Sequence, residues 1–286
     1  MKWINFLHIY QPPWQSKDVV DRIAKETYFP LTELLGKLKR GKVTLNINAS
    51  LAELFDQYGY KKLLKKLSSL AKRGQVEFVS SAAYHAFLPL LPEREIKRQI
   101  DLNNHLNKKY FGKAYRPVGF FSPEMGMSDR LARLLGRLGY RYALADVSSL
   151  PYRQTAITPQ LFYYPRGKLN ILFSDHNFSD QVSALKKPTE YLKLLQRQAR
   201  GREYYATASD GELYGHHNPQ GVKMLAAAFA NRKITPILAR DFAKAPAEDL
   251  NKPLREASWS TRPGHVRAGN NYPLWDDNTN RVHKYL

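Results

Sequence analysis

The sequence predicts a parallel β/α protein, either a barrel or a doubly wound sheet. Three observations carry that prediction. Short apolar or alternating runs of strand length alternate along the chain with amphipathic helical patterns. Glycines close most of the helical patterns, where a left-handed residue ends a helix. The length, 286 residues with 43% hydrophobic and 24% charged, suits an ordinary globular chain that can close a barrel as one unit.

The elements follow in order. Residues 3–9 form a buried apolar run, stopped by Gln11-Pro12-Pro13. Leu31, Leu34, Leu35 and Leu38 recur at helical spacing before Gly41. Val43, Leu45 and Ile47 then alternate with polar residues, as a strand should. Leu63, Leu67 and Leu70 mark a helix with lysines on its other face and Gly74 at its end, and residues 76–79 are the next strand. Pro92-Glu93 opens a helix through Ile96, Ile100 and Leu106. Residues 118–121 are a strand, Leu131 to Leu138 a helix ended by Gly139, and residues 142–145 a strand. Residues 148–180 are looser and interrupted by proline, either a pair of strands or a long loop over the site. Pro188 suits the first turn of a helix through Tyr191, Leu195 and Ala199, capped by Gly201, and residues 204–208 are a strand. The tail after Pro253, rich in Trp, Asn, Pro and Gly, reads as irregular.

Composition excludes several chemistries. With no cysteine, there is no disulfide, thiolate zinc site, iron–sulfur cluster or thiol nucleophile. No apolar run reaches 18 residues, and the start is too short in its apolar run for a signal peptide, so a cytoplasmic protein with no membrane partner is expected. The net charge of +20 raises a nucleic-acid partner. The basic runs fall on polar helix faces, however, where solvated charge is the default, so nucleic acid is not expected to bind.

Ligands of parallel β/α folds sit at the carboxyl ends of the strands. Those ends carry His8, Tyr10 and Gln11; Asn46 and Asn48; Glu77, Tyr84 and His85; Glu124; Asp146; Asp175 and His176; and Asp210, Glu212, His216 and His217. No glycine-rich phosphate loop and no Gly-x-Ser-x-Gly elbow is present. No cofactor is therefore expected. Two carboxylates on different strand ends, Glu124 and Asp210, have the residue types that glycoside hydrolysis needs: one to attack or stabilise the anomeric carbon, one to protonate the leaving oxygen.

Four blocks, in order, resemble glycoside hydrolase family 57. "FLHIYQPP" resembles the family's first motif at His8, Gln11 and Pro12, with Tyr10 in place of a second histidine. "GQVEFVSSAAYHAFLPLLP" is similar to the second, with Glu77 and His85. "GFFSPEMG" resembles the third and "ATASDGELYGHH" the fourth. The resemblance implies a distorted (β/α)7 barrel of the glycoside hydrolase/deacetylase type and a retaining enzyme acting on α-linked glucans, α-amylase-like or a 4-α-glucanotransferase. It makes Glu124 the nucleophile and Asp210 the general acid/base. It implies substrate-binding roles for His8, Gln11, Glu77, His85, Asp175, His216 and Trp259, the last as a platform for a sugar face. Residues 1–250 would be the catalytic barrel, and 251–286 an irregular segment packed on it in place of a longer helical region. The stretch "FSDHNFSDQVSA" departs from the family pattern, with Ser174 and Ala184 where Arg and Phe are expected.

Two rival readings compete. His8, Asp175, His176, His216 and His217 could supply a metal site for a polysaccharide deacetylase, but no His-x-Asp or His-x3-His pair stands in the required place, so no metal is expected. A non-catalytic carbohydrate-binding or basic-surface scaffold on the same barrel is the other.

Overall fold

The computed structural model describes residues 1–151, 160–277 and 279–285. Its strands are β1 (Lys2–Ile9), β2 (Val43–Ile47), β3 (Val76–Val79), β4 (Gly119–Phe121), β5 (Tyr142–Asp146), β6 (Leu161–Tyr164), β7 (Leu169–Ser174), β8 (Tyr204–Asp210), β9 (Thr235–Ile237) and β10 (Glu248–Asp249). Strands β3, β2, β1 and β8 form one parallel run, and β4, β5 and β7 another. Ser80 joins the runs: its N–H donates to Gly119 O at 3.0 Å, and its carbonyl accepts from Phe121 N–H at 2.9 Å. Seven parallel strands therefore follow one another around a (β/α)7 barrel. The loose stretch after residue 148 contains a pair of strands, the antiparallel β6–β7 hairpin; residues 152–159 of it lie outside the described residues.

Side chains, rather than a backbone ladder, bridge the seam between β7 and β8. Gln160 donates from Nε2 to Phe173 O and Ala206 O, both at 3.1 Å, and its Oε1 accepts from Ala206 N–H at 2.9 Å. Ser174 Oγ accepts from Ala208 N–H at 3.0 Å. These bonds satisfy backbone groups that a missing ladder would otherwise leave buried and unpaired.

Alternation along each strand decides which side chains can reach a site. On β1, Trp3, Leu7 and Ile9 pack outward against helices, while Ile4 and Phe6 face the barrel interior. His8 shares that inward parity and is the last inward residue of the strand. On β2 and β3 the outward residues are Val43, Leu45, Ile47, Val76 and Phe78, which leaves Thr44, Asn46 and Glu77 inward. The helices outside are amphipathic for the same reason. In Lys61–Lys72, Leu63, Leu64, Leu67 and Leu70 are buried, each worth roughly 1.5–3 kcal/mol of transfer free energy. Lys61, Lys62, Lys65 and Lys66 are exposed. The positive charge of this helix lies on its solvent face. No described helix is long and apolar enough to cross a membrane.

Candidate active site

Register brings the site together. In the pairing of β1 with its neighbours, His8 stands opposite Asn46 of β2 and Asp210 of β8. All three point inward at the carboxyl end of the barrel. The chain after β4 adds Glu124. A cavity of about 430 Å³ opens there, lined by His8, Tyr10, Gln11, His85, Glu124, Asp210, Glu212, His217, Trp259 and Trp275. The two candidate catalytic carboxylates therefore share one cavity. Trp259 and Trp275 bring the segment beyond residue 250 into its wall.

Glu124 sits in an uncommon backbone conformation. Its φ is 60°, and that of Met125 is 50°. Left-handed non-glycine residues cost stability and cluster where a site fixes a side chain. The carboxylate is held from one side: Trp259 Nε1–H donates to Oε2 at 2.9 Å. On the other side His85 Nε2 lies 3.8 Å from Oε1. Burial raises the Glu124 pKa above the usual carboxylate value, and the Trp259 hydrogen bond opposes that rise. Asp210 is pushed further, to about 6, first by burial and then by the negative charge of Glu124. The Asp210 shift has the direction expected of a general acid; Glu124 is raised too.

The histidines beside this pair are neutral. Burial lowers His8 to about 4, partly offset by its bond to Asn46, and lowers His85 well below its usual value, with His8 adding to the effect. His8 Nδ1 is 2.6 Å from Asn46 Oδ1, and its Nε2 is 3.1 Å from His85 Nε2. With the Asn46 oxygen facing it, His8 carries its proton on Nδ1 and accepts at Nε2 from His85. The His8 ring stacks on Phe121, and the His85 ring on Tyr10, with centroids 4.7 and 4.3 Å apart.

Three residues expected at the substrate lie elsewhere. Glu77 faces inward but two residues too low: it pairs with Thr44, level with Phe6 rather than His8. That is a drop of about 6.6 Å along the strand. There it is a buried acceptor for Tyr142 OH at 2.8 Å, Arg240 N–H at 3.0 Å and Thr44 OH at 3.2 Å. Asp175 turns away to accept from Asn177 N–H at 2.9 Å, at the start of the helix Asn177–Ala184. His216 bonds Glu26 through Nδ1 at 2.5 Å, and its neighbour His217 lines the cavity instead.

Backbone fit explains that exchange. The helix beginning at Lys17 widens into a π-helical turn, Ala24–Tyr28, that meets the loop after β8. Thr27 Oγ1 accepts from His216 N–H at 2.9 Å, and Tyr28 OH donates to Glu212. Gly215 has φ 145°, and a Cβ there would stand 2.1 Å from Glu26 O. Gly211 is also closely packed, since a Cβ there would stand 2.4 Å from Ile9 Cγ2. The glycines let the loop seat against β1 and the π turn, which fixes which histidine faces inward.

Sequence reasoning named Glu212 at a strand end but gave it no role, and did not single out Trp275. Glu212 accepts from Tyr10 N–H at 3.3 Å as well as from Tyr28. Burial, then the charge of Asp210, raises it to about 8, so its carboxyl is protonated near neutrality. Trp275 stacks on Phe87 with centroids 5.0 Å apart, and its Nε1–H has no protein partner. The alternation of "DGE" after a strand was the available signal for Glu212; nothing in the irregular tail distinguished Trp275. Among the described residues, no group of three or more His, Asp or Glu side chains is arranged to hold a metal ion.

Comparison with known proteins places the chain in a family and a fold. The profile of Glycosyl hydrolase family 57 matches residues 5–250. Alpha-amylase 1 of Dictyoglomus thermophilum is 28% identical over 141 residues, 49% of this chain and 20% of that protein. The 4-alpha-glucanotransferase of Thermococcus litoralis is 27% identical over 226 residues, 75% of this chain and 33% of that protein. The chain thus spans a third or less of the length of these curated relatives. The crystal structure of 4-alpha-glucanotransferase from Thermococcus litoralis superposes with a TM-score of 0.77 at 21% identity, over 90% of this chain and 42% of that one, a likeness of fold. With the family profile running from β1 to β10 across both carboxylates, the chain belongs to glycosyl hydrolase family 57.

Proposed function

We propose that this protein is a retaining glycoside hydrolase or transglycosylase acting on α-linked glucans, with Glu124 as nucleophile and Asp210 as general acid/base. The observation that carries the reading is the shared cavity: a carboxylate tethered by Trp259 and a second carboxyl raised to about 6 face the same space. The Trp259 bond favours the ionised form of Glu124, while burial and the Glu124 charge favour the protonated form of Asp210, and that contrast divides their roles.

In the first step a Glu124 oxygen forms a bond to the anomeric carbon as the glycosidic C–O bond breaks. Asp210 gives its proton to the departing oxygen. In the second step water or a sugar hydroxyl gives its proton to the Asp210 carboxylate and bonds to the anomeric carbon, and the bond to Glu124 breaks. Two inversions restore the starting configuration. The neutral His8–His85 pair, Gln11 and His217 supply hydrogen bonds for sugar hydroxyls. Tyr10, Trp259 and Trp275 supply aromatic surface for the apolar faces of pyranose rings.

Incubation with maltooligosaccharides followed by separation of the products tests the reading. Shorter products alone mean hydrolysis, and longer ones mean transfer. Loss of both in Glu124→Gln and in Asp210→Asn supports the assignment; substantial turnover by Glu124→Gln, or no change in any α-glucan with the native chain, refutes it.

A further inference from the structure

We propose that a second cavity, which shares Asp210 and Trp259 with the first but not Glu124, is the acceptor site, and that His176, held by Asp146, orients the incoming sugar there. The inference rests on the glycosidase reading and deepens it.

Two cavities meet at Asp210. The first contains Glu124; the second, about 260 Å³, is lined by His176, Ser179, Ser260 and Arg262. Asp210 and Trp259 line both, whereas Glu124 lines only the first. A double displacement divides space in the same way. The sugar that becomes bonded to Glu124 must lie against Glu124. The sugar that departs, and the group that replaces it, must reach Asp210, which gives and takes back the proton, and has no need of Glu124. The second cavity meets that requirement. It is also far larger than the roughly 30 Å³ share of one water molecule.

Its wall is built rather than incidental. Asp146 ends β5 and is completely buried. Its Oδ1 accepts from Ser148 N–H at 2.9 Å. Its Oδ2 receives His176 twice, from Nδ1 at 2.9 Å and from the backbone N–H at 3.3 Å. A carboxylate can only accept, so Nδ1 carries the proton that meets Asp146, and Nε2 is the ring nitrogen left for a ligand. A buried carboxylate that fixes one ring nitrogen sets the orientation of the other, as it does for many functional histidines. Opposite stands the C-terminal segment: Arg262 reaches Trp259 O at 3.2 Å and Asp180 at 3.5 Å. Polar groups around one tryptophan form the lining expected for a pyranose.

In transfer, the acceptor hydroxyl gives its proton to the Asp210 carboxylate, and its oxygen bonds to the anomeric carbon as the Glu124 ester bond breaks. His176 Nε2 hydrogen-bonds a neighbouring hydroxyl of the acceptor ring and holds it for that attack. No further reactant is needed.

The test uses α-maltosyl fluoride, whose leaving group occupies no sugar site, with added maltose as acceptor. Released fluoride reports formation of the glycosyl-enzyme, and the products report its partition between maltose and water. With the native chain, longer oligosaccharides should accumulate as maltose rises. In His176→Ala the ratio of transfer to hydrolysis should fall about tenfold, the size of one hydrogen bond. Asp146→Asn should lower the same ratio through His176. Ser260→Trp, a partly exposed position, should lower it by filling the cavity. Partition equal to that of the native chain in both His176→Ala and Ser260→Trp overturns the acceptor site and leaves the glycosidase reading intact. No fluoride release from the native chain overturns both.

Discussion

Replacing Trp259 by Phe probes how the fold keeps Glu124 ready. The change removes one atom group that matters, the indole N–H donating to Glu124 Oε2 at 2.9 Å, and keeps an aromatic ring beside Phe121 and His8. Hydrogen bonds to charged groups contribute about 1.5–3 kcal/mol. If that energy holds the nucleophile ionised and aligned, kcat/KM should fall by about 10- to 100-fold. The pH profile separates this from general damage. The Trp259 bond stabilises the ionised form, so its loss raises the Glu124 pKa and moves the acid limb to higher pH. The alkaline limb, set by Asp210 near 6, should move little. The working window therefore narrows from its acid side, as a property of the coupled pair. Activity within twofold of the native enzyme, with an unshifted acid limb, would refute the reasoning.

Other outcomes follow from the same geometry. In Glu124→Gln the charge that helps raise Asp210 is gone, so the Asp210 pKa, followed by carboxyl NMR, should drop below about 6. Glu77→Ala strands Tyr142 OH and Arg240 N–H in the barrel interior and should cost about 2–4 kcal/mol in denaturant unfolding, while kcat per folded molecule stays within about twofold; a large loss of kcat at full stability would return Glu77 to the site. Gln160→Ala removes three hydrogen bonds across the β7–β8 seam and should destabilise by about 2–4 kcal/mol. Glu212 is raised from 4.5 to about 8 in the fold. Its stabilising contribution is complete below about 4.5 and is lost as pH rises through 8. The native Tm should therefore fall, relative to Glu212→Gln, between pH 5 and 9; a parallel pair of curves would contradict that protonation state.

The barrel was legible because its signals are local. Period-two strands, leucine-striped helices and closing glycines need no knowledge of what lies across the core. His8, Glu124 and Asp210 were legible because strand ends are where such folds place their sites, and motif order supplied the rest. The misplacements have one cause: a residue's height along a strand, or its direction in a loop, depends on partners far away in sequence. Glu77 is separated from the cleft by register with Thr44 and Phe6. His216 and His217 are exchanged by the fit of Gly215 against Glu26, 189 positions earlier, in a π turn that no periodicity announces. Asp146 and His176 meet only once β5 and β7 pair. Trp275 enters the cleft from a tail without periodic pattern.

The most direct measurement is to trap the glycosyl-enzyme. A 5-fluoro-α-glucosyl fluoride slows the second displacement, and mass spectrometry of peptides from the quenched protein locates the sugar. One glucosyl group on the peptide carrying Glu124, absent from Glu124→Gln, is the result expected of double displacement. A sugar carried instead by Asp210 or Glu212, or turnover of α-glucans with inverted configuration and no adduct, would contradict it.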